Sequence, residues 1–409
     1  MNDDVAGKRG ETMSVRKIEM IGVPNSYWSA IDNLMAQEML DGTFRNTVVV
    51  LRFSRECPSL SIGVNDDGDR MDIRRVRERG HTPFRHLCCG GGAGAFTAGL
   101  PLILYYYRKP YEKPAVTIRS QSDLNGEANA AALRRLGFMA EYRAIGDTEI
   151  VLEEARYKVI ASYAGNYALP DYWSACSSII WDPLPSETAR AYVECLYHYP
   201  EKFEDKETKT PQARMKPLRE IAEQQGVALR LEDVIEVVIE ENVKALMGEE
   251  AIVSETWAAE EAVELARTVP FFESETWIKR LSTKRMCATA PSGSRLGRAA
   301  YKARKLIVAS LIVNEQGEIR DCLLTGDFYW RPQPTLFSPG AVEYFREALL
   351  GIAVGEEEKI RQAVEGVFSR PDFEMPLIES EDVVRAIRKA GDRLIPVEAY
   401  EEPLRGQAG

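Results

Sequence analysis

Residues 84–107, FRHLCCGGGAGAFTAGLPLILYYY, set three consecutive glycines, Gly90, Gly91 and Gly92, between two apolar runs where a strand would ordinarily continue. Neighbouring glycines bare their main-chain N–H groups and tolerate positive φ, so a carboxylate or phosphate can approach the backbone without meeting a Cβ. No Lys-Ser or Lys-Thr follows Gly92, which excludes a Walker loop, and the spacing is not the G-x-G-x-x-G that opens a dinucleotide-binding helix. The triplet alone is equally consistent with a turn or a hinge, so its surroundings decide the reading.

Upstream, Trp28, Ile31, Leu34, Met35 and Met39 recur at helical spacing, which predicts a helix over 26–40. The apolar runs 47–53 and 60–64 predict two strands. A short arginine-rich helix is expected over 72–78, a strand leads into Gly90, and another covers 100–107. Downstream, 125–137 reads as a helix stopped by Gly137, and 149–153 with 158–163 as a hairpin closed by an acidic turn. A strand over 177–181, a helix over 187–197, a charged loop over 201–213 and an amphipathic helix over 231–247 follow. An acid-rich helix over 257–267 and a basic, glycine-containing segment over 279–304 precede a hairpin of 305–313 and 318–325 and helices near 341–350 and 356–368. Without regular βαβ alternation, the expectation is an α+β fold, a mixed sheet with helices on its faces.

The 409 residues exceed what one core normally serves. We expect a catalytic domain over 14–250, a linker region over 251–300 and a small α+β accessory domain over 301–400, with few contacts across the junction. The net charge of −11 opposes nucleic-acid or anionic-membrane partners. The longest apolar run is too short to span a bilayer and lacks a signal-peptide arrangement, so a cytoplasmic location is expected. Seven irregularly spaced cysteines and three histidines argue against a disulfide framework and a zinc centre.

GGGAGAFTAG, with its triplet, Ala93 and Gly99, resembles the glycine motif of the lipoate-protein ligase A family of the biotin/lipoyl ligase superfamily. The resemblance continues in order through SAIDNLMAQEML, VVVLRFSRECPSLSIGVNDD, ANAAALRRLGFMAEYRAIGDTEIVLEEARYKVIAS and KLIVASLIVNEQGEIRDCLLTGDFYW. It implies ATP-dependent activation of lipoate or octanoate, then transfer to a lysine of a lipoyl-domain or H-protein-like carrier. In that family a strand lysine contacts the acyl carbonyl and adenylate phosphate, which places Lys158 in the catalytic role with Ser162 beside it. A compact cation there stabilises charge developing on the reacting oxygens. The acidic turn Asp147-Thr148-Glu149 matches the stretch that helps hold Mg²⁺, giving Glu149 and Asp147 as metal ligands and Thr148 as a nucleotide contact.

The chain departs from the family ahead of the triplet. His86, Leu87, Cys88 and Cys89 stand where ligases carry two arginines and a serine, Arg85 lies one residue early, and Phe96-Thr97 replaces His-Asp. Arg85, His86, Cys89, Gly90, Gly91, Gly92 and Ala93 are the expected acyl- or nucleotide-binding stretch, rimming an elongated pocket that faces Lys158. With cations lost there, Arg143 or Arg156 would have to reach in. Tyr105, Tyr106, Tyr107, Tyr163, Trp173 and Trp181 are candidates for lining an acyl tunnel. Two alternatives stay open: an ATP-independent acyltransferase working through a cysteine thioester at Cys88, Cys89 or Cys176, and a non-catalytic binding homologue.

Overall fold

The computed structural model describes residues 14–403 apart from 89–90, 144–145, 154, 167–168, 170, 204–214, 249–250, 334 and 337–339. Cys89 and Gly90 of the expected binding stretch lie outside the described residues. The fold is α+β, as expected, and is built on two main sheets and a small third one.

The large sheet is assembled from β1 (Val15–Val23), β2 (Thr47–Phe53), β6 (Leu102–Arg108), β7 (Ala140–Arg143), β8 (Asp147–Leu152), β9 (Ala155–Asn166), β10 (Tyr172–Ile179) and β11 (Ile252–Glu255). Their order is β11-β1-β2-β6-β10-β9-β8-β7, with β1 parallel to both β11 and β2 and the other pairings antiparallel. Consecutive strand residues point to opposite faces, and the three tyrosines of β6 reveal what covers each. Tyr105 donates to Val238 O of helix α6 (Leu231–Met247), whereas Tyr106 donates to Asp32 of helix α1 (Tyr27–Asp41) at 2.8 Å. Tyr107 turns back to Gln121 of helix α3 (Ile118–Arg135). A strand covered on both faces reads as an unbroken apolar run, which is why LILYYY does not alternate.

Helix α3 begins seven residues before the expected Asn125. Thr117 and Ser120 form a reciprocal capping box, and the Glu374 carboxylate accepts the free N–H groups of Ile118 and Arg119 at 2.7 and 3.2 Å. A carboxylate placed there answers both the unpaired donors and the positive end of the helix dipole.

The small sheet has the order β4-β3-β5, where β3 is Ser59–Ile62, β4 is Thr82–Arg85 and β5 is Gly94–Phe96. The glycine stretch is the connection from β4 to β5. The second main sheet, β14-β13-β12-β15, is antiparallel and joins β12 (Arg295–Lys302), β13 (Leu306–Val313), β14 (Ile319–Gly326) and β15 (Leu394–Pro396). Helices α10 (Val342–Leu349), α11 (Glu357–Phe368) and α12 (Ser380–Gly391) enclose its own core around Trp330, Phe345 and Phe373.

Residues 251–300 hold more structure than a linker reading suggests: β11 extends the large sheet and β12 is an inner strand of the second. Gly297 belongs in that strand because a Cβ would stand 2.5 Å from Ala390 O of α12. Contacts between the two halves are numerous, contrary to expectation. Asn65 exchanges hydrogen bonds with the 326–328 turn, donating to Phe328 O and accepting from Gly326 N. Arg331 donates to Asn166 at 2.6 Å. Buried Asp67 accepts from Thr283 Oγ1 at 2.6 Å and from Arg298 at 3.3 Å. No helix among the described residues is long and apolar enough to cross a membrane.

Candidate active site

The glycine stretch faces the 326–329 turn that follows β14. Gly91 N–H donates to the Tyr329 hydroxyl at 2.9 Å, and a Cβ on Gly91 would lie 2.6 Å from that oxygen. A Cβ on Gly92 would meet Lys202 Nζ at 3.2 Å and Asp327 Cβ at 3.6 Å. The bare backbone inferred from sequence is thus needed for the close seating of a tyrosine and an ion pair. Tyr329 also stacks on Tyr163 of β9, with centroids 5.3 Å apart, and this tyrosine stacks in turn on Trp28.

Lys158, near the start of β9, ion-pairs with Asp147 on β8. Lys202, in the short turn 200–203, ion-pairs with Asp327 at 3.0 Å. Lys305, in the turn between β12 and β13, sits 5.8 Å from the centre of the Tyr329 ring. Burial, aided by the charges of Lys202 and Lys158, pushes the Lys305 ammonium below its ordinary pKa, while Asp327 and Asp147 act against that shift. Burial also opposes charge on Lys202 and Asp327. Their mutual attraction overcomes it, raising the lysine and, with help from Lys305, holding Asp327 at about 2. Gly91 and Gly92 are thus met by Tyr329, Asp327 and Lys202, Lys305 stands over the Tyr329 ring, and Lys158 with Asp147 acts on Lys305 by charge. Lys202, Lys305, Asp327 and Tyr329 went unassigned in the sequence reading. The Gly326-Asp327-Phe328 turn was its one available signal, and Lys202 gave none within a charged segment.

The other expected residues are distributed differently. Arg85 is wholly buried and donates to Ile278 O at 2.8 Å, Gly63 O at 3.2 Å, Val64 O at 3.1 Å and Leu281 O at 3.5 Å, so its guanidinium ties β4 to the 278–281 segment. His86 bonds Ser61 Oγ through Nε2 at 2.9 Å and meets Trp28 edge-on at 4.2 Å, and burial beside Arg85 pushes it down to about 3. Thr148 is buried against Gly126 O. Ser162 Oγ is buried without a partner among the described residues. Ala93 is half-buried and accepts from the Tyr192 hydroxyl. Glu149 pairs with Arg143 at 3.2 Å, and Arg156 with Glu141, so neither arginine enters the lysine group.

Cys88 and Cys176 are buried core residues. Tyr105, Tyr106, Tyr107 and Trp173 are fully buried between sheet and helices. Cavities of about 610 and 570 Å³ lie elsewhere, one between residues 271–289 and the C-terminal unit, the other beside Phe44 and Lys244. Among the described residues no group of three His, Cys, Asp or Glu side chains forms a metal cage. Mg²⁺ on a phosphate needs only one or two carboxylates, which Asp147 and Glu149 fit in kind.

No protein-family model matches the chain, and neither does any curated protein. Among solved structures, it is similar to P. falciparum LipL1 in complex with lipoate, at 12% identity and a TM-score of 0.59, covering 91% of this chain and 98% of that one. It is also similar to a bipartite lipoate protein ligase from the archaeon Thermoplasma acidophilum, studied with its E2 lipoyl domain, at 16% identity and a TM-score of 0.50 over 66% of this chain and 97% of that one. At such identities the likeness is one of fold. The chain has the architecture of the lipoate-protein ligases.

Proposed function

We propose that this protein is a lipoate-protein ligase-like enzyme that activates lipoate or octanoate with ATP and passes the acyl group to a lysine of a lipoyl-domain or H-protein-like carrier. What supports this reading is the pairing of Lys158 with Asp147 in a ligase-type fold, both acting by charge on Lys305, which lies beside the Tyr329 that Gly91 touches. Lys158 is suited to stabilising charge on the acyl carbonyl and α-phosphate oxygens as the carboxylate attacks phosphorus and pyrophosphate leaves. Mg²⁺, held through Asp147 and Glu149, would neutralise phosphate charge. The adenylate is already a good leaving group, so the acceptor amine needs little acid or base assistance, in keeping with three histidines in the whole chain. We further propose that residues 14–250 form the catalytic unit and 301–400 the accessory unit.

The cysteine-thioester alternative loses support at Cys88 and Cys176, whose thiols are buried away from any carrier. The test is incubation with labelled ATP, octanoate or lipoate, and a lipoyl-domain acceptor, following pyrophosphate and acceptor mass. ATP-dependent acylation supports the proposal. Acylation from a carrier thioester without ATP, or no reaction at all, overturns it.

A further inference from the structure

Lys305 poses a chemical question. Among the described residues its ammonium makes neither a hydrogen bond nor an ion pair, although the residue is half-buried and two other lysines stand nearby. A partly desolvated cation whose neighbouring carboxylates are each ion-paired to another lysine is unfavourable unless the site is built to receive an anion. The carboxylates in the group act on it only through space, since Asp147 is ion-paired with Lys158 and Asp327 with Lys202. Three ammonium groups against two carboxylates leave one positive charge over, near the place where the Gly91 N–H of the glycine stretch meets Tyr329. The turn bearing Lys305 is fixed from below, since Asp327 also accepts the Leu306 N–H at 2.6 Å.

We propose that Lys305, with Lys202 and Lys158, forms a binding site for the polyphosphate group of a nucleotide, so that the C-terminal sheet provides the cation missing from Leu87 and Cys88 in the glycine stretch. The site deepens the acid-activation reading and rests on it for its biological substrate, but not for its test. Lysine suits such a post because a compact ammonium on a flexible stem can follow a phosphate that changes charge and position. Asp327 keeps Lys202 protonated and aimed at Gly92, and an arriving anion displaces carboxylate contacts rather than bulk water alone.

The experiment is calorimetric titration of the full chain with inorganic tripolyphosphate and with pyrophosphate, without acyl acid or acceptor. Wild type should bind tripolyphosphate with an affinity that falls as salt rises. Lys305→Met should weaken binding at least tenfold, Lys305→Arg should stay within about threefold of wild type, and Lys302→Met, which removes a neighbouring lysine outside the group, should change nothing. Thermal melts of each variant separate loss of the site from loss of the fold. Equal binding by wild type and Lys305→Met, or no binding by folded wild type, overturns the proposal. Because no acyl transfer is measured, tripolyphosphate binding without ligase activity would sink the proposed function and leave this site standing, and the converse result would do the opposite.

Discussion

Gly91 N–H donates to the Tyr329 hydroxyl at 2.9 Å, joining the connection between β4 and β5 to the turn after β14 across 238 residues of sequence. The contact is steric as well as polar, since a Cβ on Gly91 would lie 2.8 Å from the tyrosine ring at Cζ. Gly91→Val should therefore displace Tyr329 and cost about 1–3 kcal/mol, the usual range for overpacking. Tyr329→Phe, which keeps the ring and removes the acceptor, should cost about 1 kcal/mol. Urea unfolding of both variants checks this. Equal stability of Gly91→Val and wild type would mean that the tyrosine is not seated there in solution.

A second prediction concerns pH. Asp32 is wholly buried, accepts from Tyr106 and Ser174, and is pushed up to about 7 by burial. A carboxyl whose folded pKa exceeds its unfolded value near 4 favours the fold below that value, and the contribution is lost as pH rises through 7, about 4 kcal/mol in all. His86 runs the other way. Held neutral down to about 3, it favours the fold above its unfolded pKa near 6.5, and that stability is lost as pH falls toward 3. The two slopes oppose each other between pH 4 and 6.5. Asp32→Asn should gain stability relative to wild type progressively from pH 4 to 7 and level off above, as read from denaturant midpoints across pH. A difference that stays flat with pH would contradict the burial of an ionisable Asp32.

Much of the fold was legible because its elements announce themselves locally. Helix α6 and the hairpin of β13 and β14 carry a periodicity that tertiary contacts have no reason to override. The start of α3 was not legible, because the polar run from Arg119 to Asp123 hides a helix whose first turn is satisfied by Glu374, 256 residues away. Strand β12 was hidden for a similar reason: Arg295, Gly297 and Arg298 look like a linker until α12 is seen against Gly297 and Asp67 against Arg298. At the site, Lys158, Asp147 and the glycines could be read from one stretch of sequence each. Lys202, Lys305 and Tyr329 could not, since only the docking of the second sheet brings them there.

That docking is itself testable. Buried Asp67 takes the Thr283 hydroxyl and the Arg298 guanidinium, and Arg298 also donates to the Tyr199 hydroxyl at 2.7 Å. Asp67→Ala leaves a largely buried arginine without its carboxylate and should destabilise by about 3–5 kcal/mol. Arg298→Met added to Asp67→Ala should recover part of that loss, because no uncompensated charge then remains. Melting temperatures of Asp67→Ala, Arg298→Met and the double variant decide the matter, and a double variant worse than the sum of the two single losses would argue against a charge-pairing joint.

The chemistry gives the last prediction. If Lys158 acts on charge that develops during adenylation, Lys158→Ala should lower the rate of octanoate-dependent pyrophosphate release about 10²–10³-fold while changing octanoate affinity only a few-fold. Asp147→Asn should lower the same rate as well, because it leaves the ammonium in place but removes the carboxylate that aims it and that would help hold Mg²⁺. Cys88→Ser and Cys176→Ser should leave turnover unchanged, since both thiols are buried. Pre-steady-state pyrophosphate release beside equilibrium octanoate binding separates these effects. Loss of octanoate affinity equal to the loss in rate would place Lys158 in ground-state binding, and loss of turnover in either serine variant would return the cysteine route to consideration.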